Sequence, residues 1–360
     1  MRRLPSSTHS RVALNPARAA FYAQLAQHHA APLWERLGDL LTSEPRLQSR
    51  PWHWSYRIMR EQLLAAGNLI SAEEAERRVL ILENPGLPGS SALTETLYAG
   101  LQLILPGEDA PAHRHSPAAL RLIIEGEGAY TAVDGERAYM APGDLILTPS
   151  WTWHDHGHEG KGPTIWLDVL DLPTVLSLGP VFTELYPAAH FPTTRTPDTS
   201  AQRFGANLRP LGLDPTSLNS PVFSYGYARL RSALLVHARD CAPDPVHGAA
   251  MEYVNPANGE AAMPTISTFL HHLPAGFAGT PYRTTEGSIF CVIEGHGRLE
   301  AGADGERQVF EWAPGDVFVV PCWCPYALYS GTEAILFRAS DRTTQTKLGL
   351  WREDRRPSLT

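Results

Sequence analysis

Two strand-and-turn motifs occur twice in this chain of 360 residues. Leu120-Arg-Leu-Ile-Ile-Glu-Gly-Glu-Gly128 is echoed by Ile289-Phe-Cys-Val-Ile-Glu-Gly-His-Gly297, so that Glu125 maps onto Glu294, an offset of 169. Ala141-Pro-Gly-Asp-Leu-Ile-Leu-Thr-Pro-Ser-Trp151 is echoed by Ala313-Pro-Gly-Asp-Val-Phe-Val-Val-Pro-Cys-Trp323, so that Pro142 maps onto Pro314, an offset of 172. Two matches at nearly one offset mean a duplicated unit. Within each copy, short apolar runs are punctuated by Gly, Pro and Asp, the pattern of strands joined by tight turns. The 31 prolines and 29 glycines fit it. The chain is therefore expected to be mainly β, with two similar barrels in tandem.

The first copy carries a cluster of imidazoles. His113 and His115 stand at i and i+2, and alternate residues of a strand share a face. His154 follows 39 residues later in Pro149-Ser-Trp-Thr-Trp-His154. It can complete a three-histidine metal site if its strand lies beside theirs. In the second copy these positions become Tyr282, Thr284 and Tyr326, so that barrel is expected to hold no metal. The spacing of the histidine pair, the glycine turn, Pro149 and His154 resembles a cupin barrel, a jelly roll. The usual cupin pattern adds a ligand Glu seven residues before the turn glycine; here that position is Ala119. Three neutral ligands on an octahedral ion leave three positions open, which suits an oxygen chelator and dioxygen. With no ligand carboxylate, an anionic chelator is favoured.

Composition narrows the rest. Hydrophobic residues make up 43% and charged residues 19%, an ordinary soluble mixture. No apolar run reaches the roughly 18–20 residues of a membrane span. Two arginines at the N-terminus are followed by no apolar stretch, so a secretory signal is not expected and a cytoplasmic location is. The net charge of −8 speaks against nucleic acid as a partner. Four cysteines, Cys241, Cys291, Cys322 and Cys324, are too few for a disulfide scaffold and are read as reduced thiols. No P-loop, nucleophile elbow or complete dinucleotide fingerprint is present; Gly126-x-Gly128 is a hairpin turn.

Along the chain, residues 1–90 read as a helical region. Phe21–His28 and Pro32–Leu41 carry apolar residues at helical spacing, and Ser71 with Glu74 forms a capping-box pattern. Residues 91–175 form the metal-binding barrel, with strands expected at 97–105, 119–124, 129–133, 144–148 and 164–170. Residues 176–265 connect it to the second barrel at 266–345, and 346–360 form a tail.

Further segments carry a more specific resemblance. They are Ala75-Glu-Arg-Arg-Val-Leu80, Asn84-Pro-Gly86, Leu97-Tyr-Ala-Gly-Leu-Gln102, Pro106-Gly-Glu108, Ala112-His-Arg-His115, Tyr130-Thr-Ala-Val-Asp-Gly-Glu136, Trp153-His-Asp-His156 and Trp166-Leu-Asp168. Over nearly its whole length the chain resembles the gentisate 1,2-dioxygenases and their relatives, the salicylate and 1-hydroxy-2-naphthoate 1,2-dioxygenases. The resemblance implies a bicupin with an N-terminal helical segment. It also implies one Fe(II) per chain, held in the first cupin by His113, His115 and His154. The implied substrate carries adjacent carboxylate and hydroxyl groups. Its ring opens between the carboxyl-bearing carbon and the hydroxylated neighbour, which turns gentisate into maleylpyruvate. A homotetramer is implied as well.

The residues around the histidines fit such a substrate. Arg121 stands on an inward-alternating strand, opposite Phe290 of the repeat, and a planar guanidinium can pair with a substrate carboxylate. Gln102 shares a strand face with Gly100 and, as a buried amide, needs a partner. By resemblance Arg77 reaches the site from a helix end, although the adjacent Arg78 is an alternative. Tyr98 and Gly100 line the strand before the metal motif, and Gly100 leaves room beside a ring. His156 shares a face with His154 and can act as acid, base or hydrogen-bond donor. Asp168 can orient a histidine or accept a bond from the hydroxyl that distinguishes gentisate from salicylate. His158 is expected in a loop, and Trp151 and Trp153 in barrel packing. The competing reading from another class is a metal bicupin that binds a small acid without turning it over.

Overall fold

A computed structural model describes residues 15–355 apart from 207 and 304. The N-terminal stretch read for a leader and the last residues of the tail lie outside the described residues. The chain divides into two compact units at Leu47/Gln48.

The first unit holds the helices Pro16–Gln27 and Leu33–Leu40. Asn15 caps the former by accepting the Ala17 N–H at 2.9 Å, with Pro16 pre-set at the first position. Neither helix buries a residue. Tyr22, Trp34 and Glu35 link the pair: Trp34 Nε1 donates to the Tyr22 hydroxyl at 2.8 Å, and that hydroxyl donates to Glu35 at 2.5 Å.

In the second unit, the first barrel consists of two antiparallel sheets. One runs in the order Ser224–Tyr225, Leu145–Thr148, Ala119–Glu125, Thr164–Leu170, Tyr98–Ile104, Val79–Ile81. The other runs Thr183–Leu185, Asp109–His115, His154–His158, Ala129–Val133, Glu136–Tyr139. The strand Thr164–Leu170 shows how alternation builds both cores. Ile165, Leu167 and Val169 join a large apolar cluster with Ile335, Phe337 and Ala339 of the second barrel. Trp166 turns the other way, into the smaller core of the first barrel with Ile104, Ile123 and Ile146. Both faces are covered, so the strand reads as a nearly continuous apolar run.

The second barrel repeats the large sheet. Its order is Trp52–Trp54, Val317–Val320, Ser288–Glu294, Ala334–Ser340, Ser267–Leu273, Ala249–Glu252. Three strands, Gln308–Trp312, Gly297–Ala301 and Tyr326–Ser330, form its smaller sheet.

The two barrels exchange straps. Trp52–Trp54, from before the first barrel, pairs with Val317–Val320 of the second, and the helix Tyr56–Leu69 follows. Ser224–Tyr225, from before the second barrel, pairs with Leu145–Thr148 of the first, and the helix Tyr227–Asp240 follows. Each helix starts on the other barrel's Pro-Gly-Asp turn. Tyr56 N–H donates to Asp316 at 2.7 Å, and Tyr227 N–H donates to Asp144 at 2.8 Å. A Cβ on Gly315 would fall 2.5 Å from the Tyr56 ring, and one on Gly143 2.5 Å from the Tyr227 ring. Both glycines also have φ near +85° (+84° and +86°), which L side chains rarely adopt. One turn later Arg60 pairs with Glu125 at 2.7 Å and Arg231 with Glu294 at 2.7 Å. The duplicated unit is thus longer than its two strand motifs and includes a Tyr-x-x-x-Arg helix start. The helix Tyr56–Leu69 lies within the region read as helical, although no segment there was singled out, and the strand before it was not expected.

The interior of the second barrel also holds a buried charged pair. Arg338 occupies the register position of Asp168: it faces Phe269 and Phe290 as Asp168 faces Gly100 and Arg121. It pairs with the fully buried Glu286 at 3.5 Å, whose other oxygen accepts from Ser340 at 2.6 Å.

Candidate metal centre and its surroundings

His113 and His154 lie directly opposite each other on neighbouring strands, and His115 follows two residues after His113 on the same face. An irregularity between Ala110 and His113 sets that register. The ring centroids are 4.1 Å (His113–His154), 4.8 Å (His115–His154) and 5.1 Å (His113–His115) apart. One nitrogen from each ring lies within 4.8 Å of the others, close enough for one ion.

The donor set fits a divalent metal. His115 Nδ1 meets the Pro117 carbonyl at 2.6 Å and His154 Nδ1 the Thr152 carbonyl at 3.0 Å. A carbonyl only accepts, so each Nδ1 carries the proton and each Nε2 keeps its lone pair for a ligand. His154 Nε2 is buried without a partner. Burial pushes the imidazoles down, His113 to about 2 and His115 to about 4, with His154 well below the usual histidine value. Nearby Arg77 and Arg121 push the same way. The rings are therefore neutral, the form that binds metal.

Around the triad, three strands of the facing sheet bring polar groups together. Arg121 and Asp168 are registered neighbours, only 4% exposed each. Arg121 Nε lies 3.2 Å from Asp168 Oδ1, but the N–H is not aimed along that line, and both atoms lack a hydrogen bond. Arg121 is held instead by Thr148, whose hydroxyl accepts from Nη1. Asp168 Oδ2 accepts from Trp166 Nε1 at 3.0 Å. Burial lifts Asp168 to about 6, against the pull of Arg121. His156 Nδ1 is engaged by the Thr131 hydroxyl at 2.9 Å, and its Nε2 is buried without a partner. Three unpartnered buried atoms thus surround the triad, His156 Nε2, Arg121 Nε and Asp168 Oδ1, in addition to His154 Nε2 within it. Such atoms cost free energy unless a ligand or ordered water meets them.

Gln102 sits opposite Trp166 and Gly100 opposite Asp168, on one face of the adjoining strand. A Cβ on Gly100 would stand 2.5 Å from Val79 Cγ1 and 2.8 Å from the Tyr98 hydroxyl, so glycine is required by close approach. Of the two arginines, Arg77 reaches the triad. Its Nη2 donates to the Pro111 carbonyl at 2.8 Å and touches His113 Nδ1. Arg78 turns away, to Glu108.

Two expectations need correction. His158 is not a loop residue: it ends the strand His154–His158, is 4% exposed, and bonds the Gly162 carbonyl at 2.6 Å. The period-2 pattern of His154, His156 and His158 was a strand signal that the glycines around it obscured. Trp151 does not pack within the barrel. It is 40% exposed, with φ of +62°, and flanks Arg114 together with Trp153 at 4.6 and 4.5 Å. Thr131, Thr148 and Trp166 hold site residues but were given no role in the sequence: Thr131 and Thr148 act across strand pairs whose register composition does not reveal, and Trp166, on the same strand as Asp168, was read only as part of a motif.

A cupin domain family model matches residues 100–170, the strands that carry every one of these groups except Arg77 and Tyr98. A gentisate 1,2-dioxygenase of Aquipseudomonas alcaligenes is 48% identical over 343 residues, covering 95% of this chain and 98% of the relative. Among solved structures, a salicylate 1,2-dioxygenase from Pseudaminobacter salicylatoxidans superimposes with a TM-score of 0.88 at 33% identity, over 95% of this chain and 98% of the other. A structure of the salicylate enzyme with gentisate superimposes at 0.87, with 33% identity and 94% of each chain covered.

Proposed function

We propose a reaction for this chain on one premise: it belongs to the family of gentisate 1,2-dioxygenases and their salicylate-cleaving relatives. The reaction is the opening of gentisate between the carboxyl-bearing carbon and the adjacent hydroxylated carbon. One dioxygen is consumed, both its atoms enter the product, and that product is maleylpyruvate. His113, His115 and His154 hold one Fe(II) per chain. The iron supplies the site at which the substrate oxygens and dioxygen meet and exchange electrons.

The observation that carries the reading is the set of unpartnered buried atoms around the triad. Arg77 and Arg121 bring two positive charges and Asp168 one negative charge, while the histidines are neutral. An anionic substrate balances that excess. Arg121 Nε and the Arg77 guanidinium bind the substrate carboxylate, and Gln102 bonds an oxygen beside it. When His113 ligates through Nε2, its Nδ1 proton goes to the Pro111 carbonyl, and Arg77 leaves that carbonyl for the substrate. Asp168 Oδ1 accepts the hydroxyl that gentisate has and salicylate lacks. His156 Nε2 holds or releases a proton beside the ring, with Nδ1 secured by Thr131. Tyr98 and Gly100 bound the ring: the glycine admits it, and the tyrosine closes the space over that glycine.

A homotetramer, as the family resemblance implies, and a cytoplasmic location, as the N-terminal sequence and the few cysteines suggest, complete the proposal. Leu176, Leu178, Phe182 and Leu185, each more than half exposed, offer one apolar segment for a subunit contact. The test is steady-state oxygen consumption by Fe(II)-loaded protein with gentisate and salicylate in separate reactions. Preference for gentisate by an order of magnitude or more in kcat/KM supports the reading. Metal-loaded protein that binds gentisate and consumes no oxygen is the non-catalytic binder.

A further inference from the structure

Arg77 and Arg78 are adjacent, yet they face different parts of the molecule. Glu76 just before them has φ of +52°, which ends the short helix Ala72–Ala75 and turns the chain sharply. Beyond it the chain makes a tight three-residue turn, Val79 N–H donating to Arg77 O at 3.0 Å, and Leu103 N–H then donates to Arg78 O at 3.0 Å, where the strand Val79–Ile81 begins. Across that turn the two side chains part, Arg77 to Pro111 and His113 and Arg78 to Glu108.

The two are held very differently. Among the described residues Arg77 makes no ion pair; it has only the Pro111 carbonyl and the His113 ring. It is pressed by burial and by the like charge of Arg121. Only those two contacts hold its side chain in place. Arg78 is 6% exposed and satisfied on three sides. Its Nη1 and Nη2 form a two-pronged pair with Glu108 at 2.9 and 2.8 Å, and its Nε donates to the Ile70 carbonyl at 3.1 Å. Glu108 in turn accepts the Leu105 N–H at 2.8 Å. It stands immediately before the strand Asp109–His115, which carries His113 and His115. The pair therefore ties the segment bearing Arg77 to the strand bearing two of the triad.

We propose that Arg78 and Glu108 are positioning residues: their two-pronged pair fixes the Arg77 guanidinium beside the histidine triad, and they act on the substrate only through Arg77. The inference rests on the reading of Arg77 as a substrate-binding residue. A fork of parallel hydrogen bonds sets direction as well as distance, which a lysine cannot reproduce. Without it, the segment 76–78 keeps its backbone bonds to the strand Tyr98–Ile104 but loses its tie to the strand Asp109–His115, and Arg77 is held beside the triad less firmly.

The experiment is a double-mutant cycle on the Fe(II)-loaded protein, read by the anaerobic Kd for gentisate and by KM and kcat. Thermal stability and iron content are recorded for every variant. Arg78→Met is expected to weaken gentisate binding by about tenfold, with iron content unchanged and kcat within about threefold. Arg78→Lys is expected to recover part of that loss, and Glu108→Gln, a milder change for folding, to show the same KM-weighted loss. Adding Arg78→Met to Arg77→Ala is expected to cost no more than about twofold further, since a residue acting through Arg77 has nothing left to position. Losses that multiply in the double variant, or a loss confined to iron content, overturn the positioning role while leaving Arg77 in place. An Arg77→Ala variant with unchanged Kd and KM removes the role of Arg77 itself, and the inference with it.

Discussion

Arg121 Nε and Asp168 Oδ1 stand 3.2 Å apart on registered strands, and neither makes a hydrogen bond. Opposite charges buried this deeply normally bond each other fully, because an unsatisfied one is costly. Here Thr148 draws the guanidinium aside and Trp166 takes the other carboxylate oxygen. The pair is neutralised without being closed, and each partner keeps an atom for a third party.

Arg121→Lys keeps the charge and loses the planar fork. It should lower kcat/KM for gentisate by roughly 10–100-fold, the equivalent of one charged hydrogen bond. Most of the loss should appear in KM. Arg121→Lys with unchanged KM would mean that the carboxylate is bound elsewhere.

Asp168 has a pH signature. Burial raises its carboxyl from 3.8 to about 6, so the native state holds the proton more tightly than the unfolded chain. Its contribution to stability therefore falls as pH rises from about 4 to about 6. The carboxylate, the form that accepts a substrate hydroxyl, is present above about 6. The kcat/KM for gentisate should climb through that region and level off above it. Asp168→Asn should remove that limb and bring gentisate close to salicylate as a substrate. A pH profile that keeps its acid limb in Asp168→Asn assigns the limb to another group.

Gly100→Ala places a methyl 2.5 Å from Val79 and 2.8 Å from the Tyr98 hydroxyl. Overpacking of this kind costs about 1–3 kcal/mol when neighbours cannot give way. We expect a weaker gentisate KM and a lower Tm, with Val79→Ala in the same chain restoring part of both. A double variant no better than Gly100→Ala would place the strain at Tyr98 instead.

The exchanged straps predict a matched pair of losses. Asp144→Ala removes the cap of the helix Tyr227–Asp240, and Asp316→Ala that of Tyr56–Leu69. Each should cost about 0.5–2 kcal/mol in chemical denaturation. Asp316→Ala should cost more, because Asp316 also bonds His53 at 2.8 Å. Negligible effects would show that the straps are held by apolar packing alone, and equal losses would remove the extra contribution of His53.

Much of this was legible in the sequence because it is local. The strand Thr164–Leu170 was bounded to the residue, and Ser71 caps its short helix through the Glu74 N–H as its capping pattern suggested. The histidine triad followed from a two-residue spacing plus one position of the cupin pattern. What escaped notice was non-local. Tyr56 with Arg60 and Tyr227 with Arg231 repeat at an offset of 171, but the match is two residues in five and carries no turn signal. Glu108 was quoted as part of a motif, yet its partner Arg78 lies 30 residues away, across a strand pairing. The second barrel was read as metal-free from Tyr282, Thr284 and Tyr326. That reading was silent on Glu286 and Arg338, whose meaning depends on their meeting inside the barrel.

The central claim is that the neutral triad serves dioxygen-dependent ring opening of gentisate. The most direct measurement is the stoichiometry of oxygen consumed to gentisate lost, on protein loaded anaerobically with Fe(II), beside a His154→Ala control. The account predicts one dioxygen per gentisate, appearance of the ring-opened product at the same rate, and loss of both iron and turnover in the control. Gentisate left intact by protein holding one iron per chain, or full turnover in the iron-free control, would contradict it.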